Sequence, residues 1–197
     1  MLKSLEKLSP SPEGAAPVVE VLLIDGAALV NMLKPNGVCK TFSDYVRQVY
    51  LPYVTSQLQM VNRIDLVWDK YLPDSLKFNV RSNRGHGVRR RAEPSVKLPG
   101  DWGSFLRVDD NKTELFKYLA EQTVSVESAG KHVFSTSDNF VLSRSRGDLS
   151  AISPCTHEEA DTRLLLHALD AGKEGFKTVM LRTVDTDVVV LAITHFA

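Results

Sequence analysis

From residue 18 onwards, short apolar runs alternate with stretches whose apolar residues recur at helical spacing. The run at 18–24 (VVEVLLI) is rich in β-branched residues and stops at Asp25-Gly26, and 63–69 (RIDLVWD) repeats the pattern, closing on Asp69. A third run, 178–181 (TVML), reads as a buried strand. Residues 131–143 read as one or two short strands about a turn at Ser137-Asp138-Asn139. Helical spacing appears at 42–58, where Tyr45, Val49, Tyr53 and Ser56 share a face flanked by Val46, Tyr50, Val54 and Leu58. Ser43 is its expected N-cap and Pro52 its expected kink. A second helix, capped by Asp110 or Asn111, is expected through Gln122, with Leu115, Phe116 and Leu119 inward. A third opens on Glu158-Glu159-Ala160-Asp161, carries Leu164, Leu165, Ala168 and Leu169 at helical spacing, and takes Gly172 as its C-cap. Strands alternating with helices predict an α/β chain with an open parallel sheet.

The acids stand at fixed points of this pattern. Asp25 and Asp69 close the first two runs, the Glu158-to-Asp161 cluster opens a helix, and Asp185-Thr186-Asp187 follows the third run. In an open parallel sheet such positions meet at the carboxyl edge, where these sheets bind ligands. Several carboxylates in one crevice repel one another unless cations neutralise them, and a hard divalent ion such as Mg²⁺ does so with oxygen ligands. Each cluster alone has a plain structural reading as well. Acids in a first helical turn complement the dipole, and Asp-Gly or Asp-Thr-Asp serves as turn chemistry.

Composition narrows the class. At 197 residues, 43% hydrophobic and 24% charged, the chain has the make-up of one globular domain. Lys+Arg and Asp+Glu are both 24, so net charge indicates no partner. Cys39 and Cys155 suggest no disulfide framework, and a reducing, intracellular setting (nuclear or cytoplasmic) is the expectation. No run has membrane-spanning length or signal-peptide character, so no membrane partner is expected. Residues 1–17, with Pro10, Pro12, Gly14 and Pro17, read as a flexible tail, leaving 18–197 as the domain. The five histidines show no metal-ligand spacing, and there is no Walker loop, dinucleotide fingerprint or nucleophile elbow.

Charge distribution says more than net charge. The stretch 77–91 (KFNVRSNRGHGVRRR) holds Lys77, Arg81, Arg84, Arg89, Arg90 and Arg91 and no acid. Following an acidic strand end, such a block suggests contacts to nucleic-acid phosphates, with a solvated basic loop or a localisation signal as the plain alternative. Gly85 and Gly87 point to a loop or broken helix. Trp102, Phe105 and Leu106 are expected to pack the connector on the core.

In this order the residues resemble the PIN-like nucleases, within them the flap endonuclease and XPG-like 5′ nuclease branch. Strand-end Asp25 and Asp69, Glu159-Ala160-Asp161 at a helix start, and Asp185-Thr186-Asp187 after a strand carry the likeness over roughly residues 19–192. The EEADTR and DTD words are also similar to those of a group of uncharacterised animal proteins. The nuclease resemblance implies an open, mostly parallel sheet with helices on both faces and a basic loop or arch at 77–100. It implies two Mg²⁺ or Mn²⁺ ions held by Asp25, Asp69, Glu158, Glu159, Asp161, Asp185 and Asp187, with Asp25, Asp69, Glu159 and Asp185 as the catalytic ligands. It further implies hydrolysis of DNA or RNA phosphodiester bonds, with Lys77, Arg81, Arg84, Arg89, Arg90 and Arg91 on the substrate strand. The family's later acid and its helix-hairpin-helix have no counterpart before Ala197, so a C-terminal remainder or a partner protein is expected. The rival expectation is a PIN-like module that binds nucleic acid or protein without turnover. A haloacid-dehalogenase phosphatase fits less well, since that family's second Asp, two residues after the first, is replaced by Ala27.

Overall fold

The computed structural model describes residues 17–71, 88–157 and 160–196. The expected tail, apart from Pro17, lies outside them, as do Lys77, Arg81, Arg84, Glu158 and Glu159. In chain order the elements are β1 (Val21–Asp25), α1 (Gly26–Met32), α2 (Phe42–Tyr45), a π-helical turn (Val46–Tyr50), α3 (Leu51–Met60), β2 (Arg63–Val67), α4 (Trp102–Leu106), α5 (Asp109–Thr123), β3 (His132–Ser137), β4 (Phe140–Ser143), α6 (Ala160–Lys173), β5 (Val179–Arg182) and α7 (Thr186–Phe196). Among the described residues, none of these helices is long and apolar enough to cross a membrane.

The strands form one five-stranded sheet in the order β4-β3-β2-β1-β5. Pairing is parallel throughout except between β3 and β4. The chain therefore winds outward from β1 through β2 to β3, then crosses back through α6 to lay β5 on the other side of β1. The reversal of direction falls between β1 and β5, the position at which sheets of this kind form a ligand crevice beyond the carboxyl ends of the strands.

Strand alternation divides the core. Leu22 and Ile24 of β1 and Ile64 and Leu66 of β2 pack with α1 to α5, whereas Val21, Leu23 and Val67 pack with Ala160, Leu164, Ala168 and Ala171 of α6 and Val188 of α7. Helices thus cover both faces, as expected, and all five residues of β1 are buried. β5 differs from the expectation of a buried strand. It is an outer strand of the sheet, opposite β4, and Met180 is 42% exposed.

Several helix ends fall elsewhere than the sequence suggested. Thr41, not Ser43, caps α2, through a reciprocal capping box with Asp44. The kink expected at Pro52 appears as the π turn before it. Pro52 has no N–H to donate and its ring would press on the carbonyl one turn back, which the wider turn avoids. Tyr45, Val46, Tyr50, Val54 and Leu58 form the buried face of this region, while Ser56 is exposed. α5 starts at Asp109 after Val108, with no side-chain cap; Asn111, instead of capping, is buried and receives the Arg90 N–H at 2.8 Å. α6 runs past Gly172. The left-handed residue is Gly175 (φ +95°), with Phe176 N–H to Ala171 O at 3.2 Å and Gly175 N–H to Gly172 O at 3.0 Å, the two bonds of a Schellman end.

Candidate active site at the carboxyl edge

Asp25 ends β1 and also caps α1. Its Oδ1 accepts the N–H groups of Ala27 and Ala28 at 2.8 and 3.1 Å. Its other oxygen, Oδ2, receives the Thr183 hydroxyl at 3.4 Å across the β1–β5 crevice. The residue is only 7% exposed. Burial raises its pKa, and the nearby Asp69 charge adds to that effect, against the two backbone N–H groups that favour the anion.

Asp69 lies two residues beyond β2 and is half-buried. Its Oδ1 accepts the Ala160 N–H at 2.9 Å, so it ties the first residue of α6 to the end of β2. The Tyr71 hydroxyl donates to Oδ2 at 3.2 Å. Burial and the Asp69 charge raise the phenol's pKa, which keeps Tyr71 a proton donor in this bond. Lys112 Nζ stands 4.0 Å over the Tyr71 ring.

The β5–α7 loop meets the same edge. Thr183 Oγ1 accepts the Asp185 N–H at 3.0 Å, and Asp185 Oδ1 accepts the Asp187 N–H at 2.9 Å, an arrangement that starts α7. Asp185 and Asp187 are both exposed, whereas Asp161, in the first turn of α6, is half-buried. Asp25 and Asp69 are therefore close enough to feel each other's charge. Asp185 is linked to Asp25 only through its backbone N–H on Thr183, while its carboxylate caps α7.

No protein-family model, curated protein or solved structure matches the chain.

The donor chemistry can be judged from the residues themselves. Carboxylate oxygens suit Mg²⁺ or Mn²⁺. The Asp69 charge helps raise the Asp25 pKa, a repulsion that such an ion would relieve, so the residues fit the group in kind. Among the described residues, no set of three or more His, Cys, Asp or Glu side chains stands close enough to share an ion. Glu158 and Glu159, which precede Ala160 directly, lie outside the described residues.

The described part of the basic stretch packs on α5. Arg89 pairs with Glu114 and stands 3.6 Å from Asp110, and Arg91 pairs with Glu93 at 3.0 Å. Arg90 is exposed, with its backbone N–H on Asn111.

A second polar assembly escaped the sequence reading. Arg63 and Asp65, two apart on one face of β2, are both fully buried and joined by two bonds of 2.9 and 2.7 Å. His167 Nδ1 lies 2.6 Å from Asp65 Oδ2, and Asp170 of α6 and Glu174 just beyond it meet Arg63 at 2.8 and 2.6 Å. Arg146 closes the group onto Asp170 and Glu174 at 2.9 and 2.5 Å. Two charges at i and i+2 in an otherwise apolar strand, and polar residues at 167, 170 and 174 on one helical face, were the available signals. The assembly fastens α6 under the sheet and so fixes where Ala160 meets Asp69.

Proposed function

We propose that the chain is a PIN-like, divalent-metal-dependent nuclease acting on DNA or RNA phosphodiester bonds. The carrying observation is the pair of carboxylates, Asp25 and Asp69, at adjacent strand ends, with the Asp25 pKa raised by burial and by Asp69. A perturbed acid at a topological switch point is where chemistry is sought first.

In this reading Asp25 and Asp69 hold the cation, joined by Asp185, Glu159 and the neighbouring acids Glu158, Asp161 and Asp187. Mg²⁺ or Mn²⁺ bound there supplies charge neutralisation of the phosphate and a bound water of lowered pKa. The chain's own part is orientation. The α1 N-terminus fixes one Asp25 oxygen and leaves the other towards Thr183. Tyr71 and the Ala160 N–H fix both oxygens of Asp69. Arg90 and the other cations of 77–91 would meet the strand's phosphates, and such backbone contacts carry no base preference.

A second reading has one observation in its favour. Both strand-end acids perform structural work, Asp25 as the cap of α1 and Asp69 as the anchor of α6, which suits a non-catalytic module that binds nucleic acid or protein. Cleavage of single-stranded and flapped oligonucleotides with Mn²⁺ or Mg²⁺ separates the two. The nuclease reading expects metal-dependent products, lost in Asp185→Asn with binding retained; cleavage by that variant at the parent rate would overturn it.

A further inference from the structure

The ends of β2 and β3 enclose a cavity of about 60 Å³ on the Asp69 side of the crevice, with Trp68, Asp69, Lys70, Lys117 and Asp138 in its wall. One water needs ~10–15 Å³, so there is room for a single compact group. The β3–β4 turn forms one side, and cations from three places in the chain hold it. Lys70 Nζ donates to Asn139 Oδ1 at 2.7 Å, and Lys117 Nζ pairs with Asp138 Oδ2 at 2.9 Å. Arg163, 1% exposed, donates from Nη1 to the Asp138 carbonyl at 2.7 Å.

An ammonium group has three donors. Among the described residues each lysine meets one hydrogen-bonding or ionic partner, at this turn, which leaves donors to spare on both. The partner of Lys70 is a neutral amide, so its charge is not cancelled there. In the wall itself two ammonium groups (Lys70, Lys117) balance two carboxylates (Asp69, Asp138), and Arg163 adds a cation outside the wall on the Asp138 carbonyl.

We propose that this cavity is a phosphate subsite, in which Lys70 and Lys117 take a phosphate of the same strand whose neighbouring phosphate lies at Asp25 and Asp69. The inference rests on the nuclease reading for the identity of the strand. A polyanion approaching paired carboxylates is repelled, and fixed ammonium groups in the same wall as Asp69 offset that repulsion where it is strongest. The turn's hydrogen bonds hold both lysines in place before the strand arrives, so little side-chain ordering is left to oppose binding.

The test titrates inorganic phosphate into the full, metal-free chain at constant ionic strength and follows the Trp68 indole N–H resonance. That indole belongs to a residue of the cavity wall and is fixed on Ser135 Oγ at 2.9 Å. A saturable shift is expected, and Lys70→Met with Lys117→Met should weaken it about tenfold or more, as lost charge-assisted bonds do. No saturable shift in the parent, or an equal shift in the double variant, overturns the proposal. Lys117 is half-exposed, so Lys117→Met alone serves where the double variant does not fold, and unchanged affinity there overturns it equally. Competition by a 5′-phosphorylated oligonucleotide but not by its 5′-hydroxyl twin assigns the cavity to a strand terminus. Equal competition assigns it to an internal phosphodiester, and competition by neither overturns it. Phosphate binding without cleavage under any divalent cation sinks the nuclease reading and leaves a phosphate-binding cavity. Metal-dependent cleavage without phosphate binding does the reverse.

Discussion

Gly26 lies directly against the Trp68 indole: a Cβ built on Gly26 would come within 2.1 Å of the ring. The two residues adjoin Asp25 and Asp69, so this contact sets how closely the two acids approach. Trp68 cannot yield easily. Its backbone N–H is bound to Thr136 Oγ1 at 2.8 Å, its indole N–H to Ser135 Oγ, and its ring packs on Phe116 at 4.8 Å.

Gly26→Ala should therefore destabilise the fold by roughly 1–3 kcal/mol, as overpacking does, although alanine is the better helix former. Urea unfolding measures it. A variant as stable as the parent would mean that the β1–α1 junction can slide, and that the spacing of Asp25 and Asp69 is not fixed by this contact.

Asp25→Asn keeps an oxygen for the Ala27 and Ala28 N–H groups but removes the charge. The folded-state pKa of Asp25 is raised, so its contribution to stability is present below the unfolded value of ~3.9 and is lost as pH rises through the folded one. At neutral pH the variant should accordingly melt no lower than the parent. Millimolar Mn²⁺ should raise the melting temperature of the parent and much less that of the variant, since only native-state binding stabilises. Equal responses to Mn²⁺ would detach the metal from Asp25.

The buried Arg63 group responds in the opposite sense. Burial alone would raise the Asp65 pKa, but bonds from Arg63 and His167 outweigh it and hold it below the ordinary carboxylate range. Its contribution is present above the unfolded value of ~3.9 and is lost as pH falls through the lowered folded one, so stability should decline on acidification below about pH 4. Arg63→Met removes one partner of a buried charge group, leaving Asp65 only His167 and Asp170 only Arg146, and should cost about 3–5 kcal/mol. Denaturant midpoints between pH 3 and 7, parent against variant, check both claims. A cost under 1 kcal/mol would show that water reaches the group.

The difference between these two acidic environments explains what could be read from the sequence. The carboxyl edge was legible because largely apolar runs end in acids at Asp25 and Asp69, and a mostly parallel sheet follows from their alternation with helices. The α1 helix was not. GAALVNM is short, and Asp25 drew attention as a turn residue or ligand while acting as the helix cap. Likewise, 102 residues separate Asp65 from His167, so no local pattern joins them. The C-cap glycine was misplaced because Gly172 and Gly175 both suit the role by composition, and only the backbone sign at Gly175 decides.

The basic stretch offers the last prediction, because two adjacent arginines differ in what holds them. Arg89 is engaged by Glu114, Asp110 and Asn111 on α5, whereas Arg90 is exposed and uses its backbone, not its charge, on Asn111. A cation already facing two acids releases few counterions when a phosphate arrives, while an exposed one releases its share. In oligonucleotide binding measured at several salt concentrations, Arg90→Ala should flatten the logarithmic salt slope by about one unit with stability unchanged. Arg89→Ala should change the slope less and lower affinity through the 88–92 segment, whose Ala92 N–H also rests on Glu114 at 3.1 Å. Surface pairs of this kind contribute ~1 kcal/mol at most, so the stability loss on Arg89→Ala should be small. Equal slopes for both variants and the parent would reduce the described part of the stretch to a solvated loop, and the search for the strand's path would move to Lys70 and Lys117.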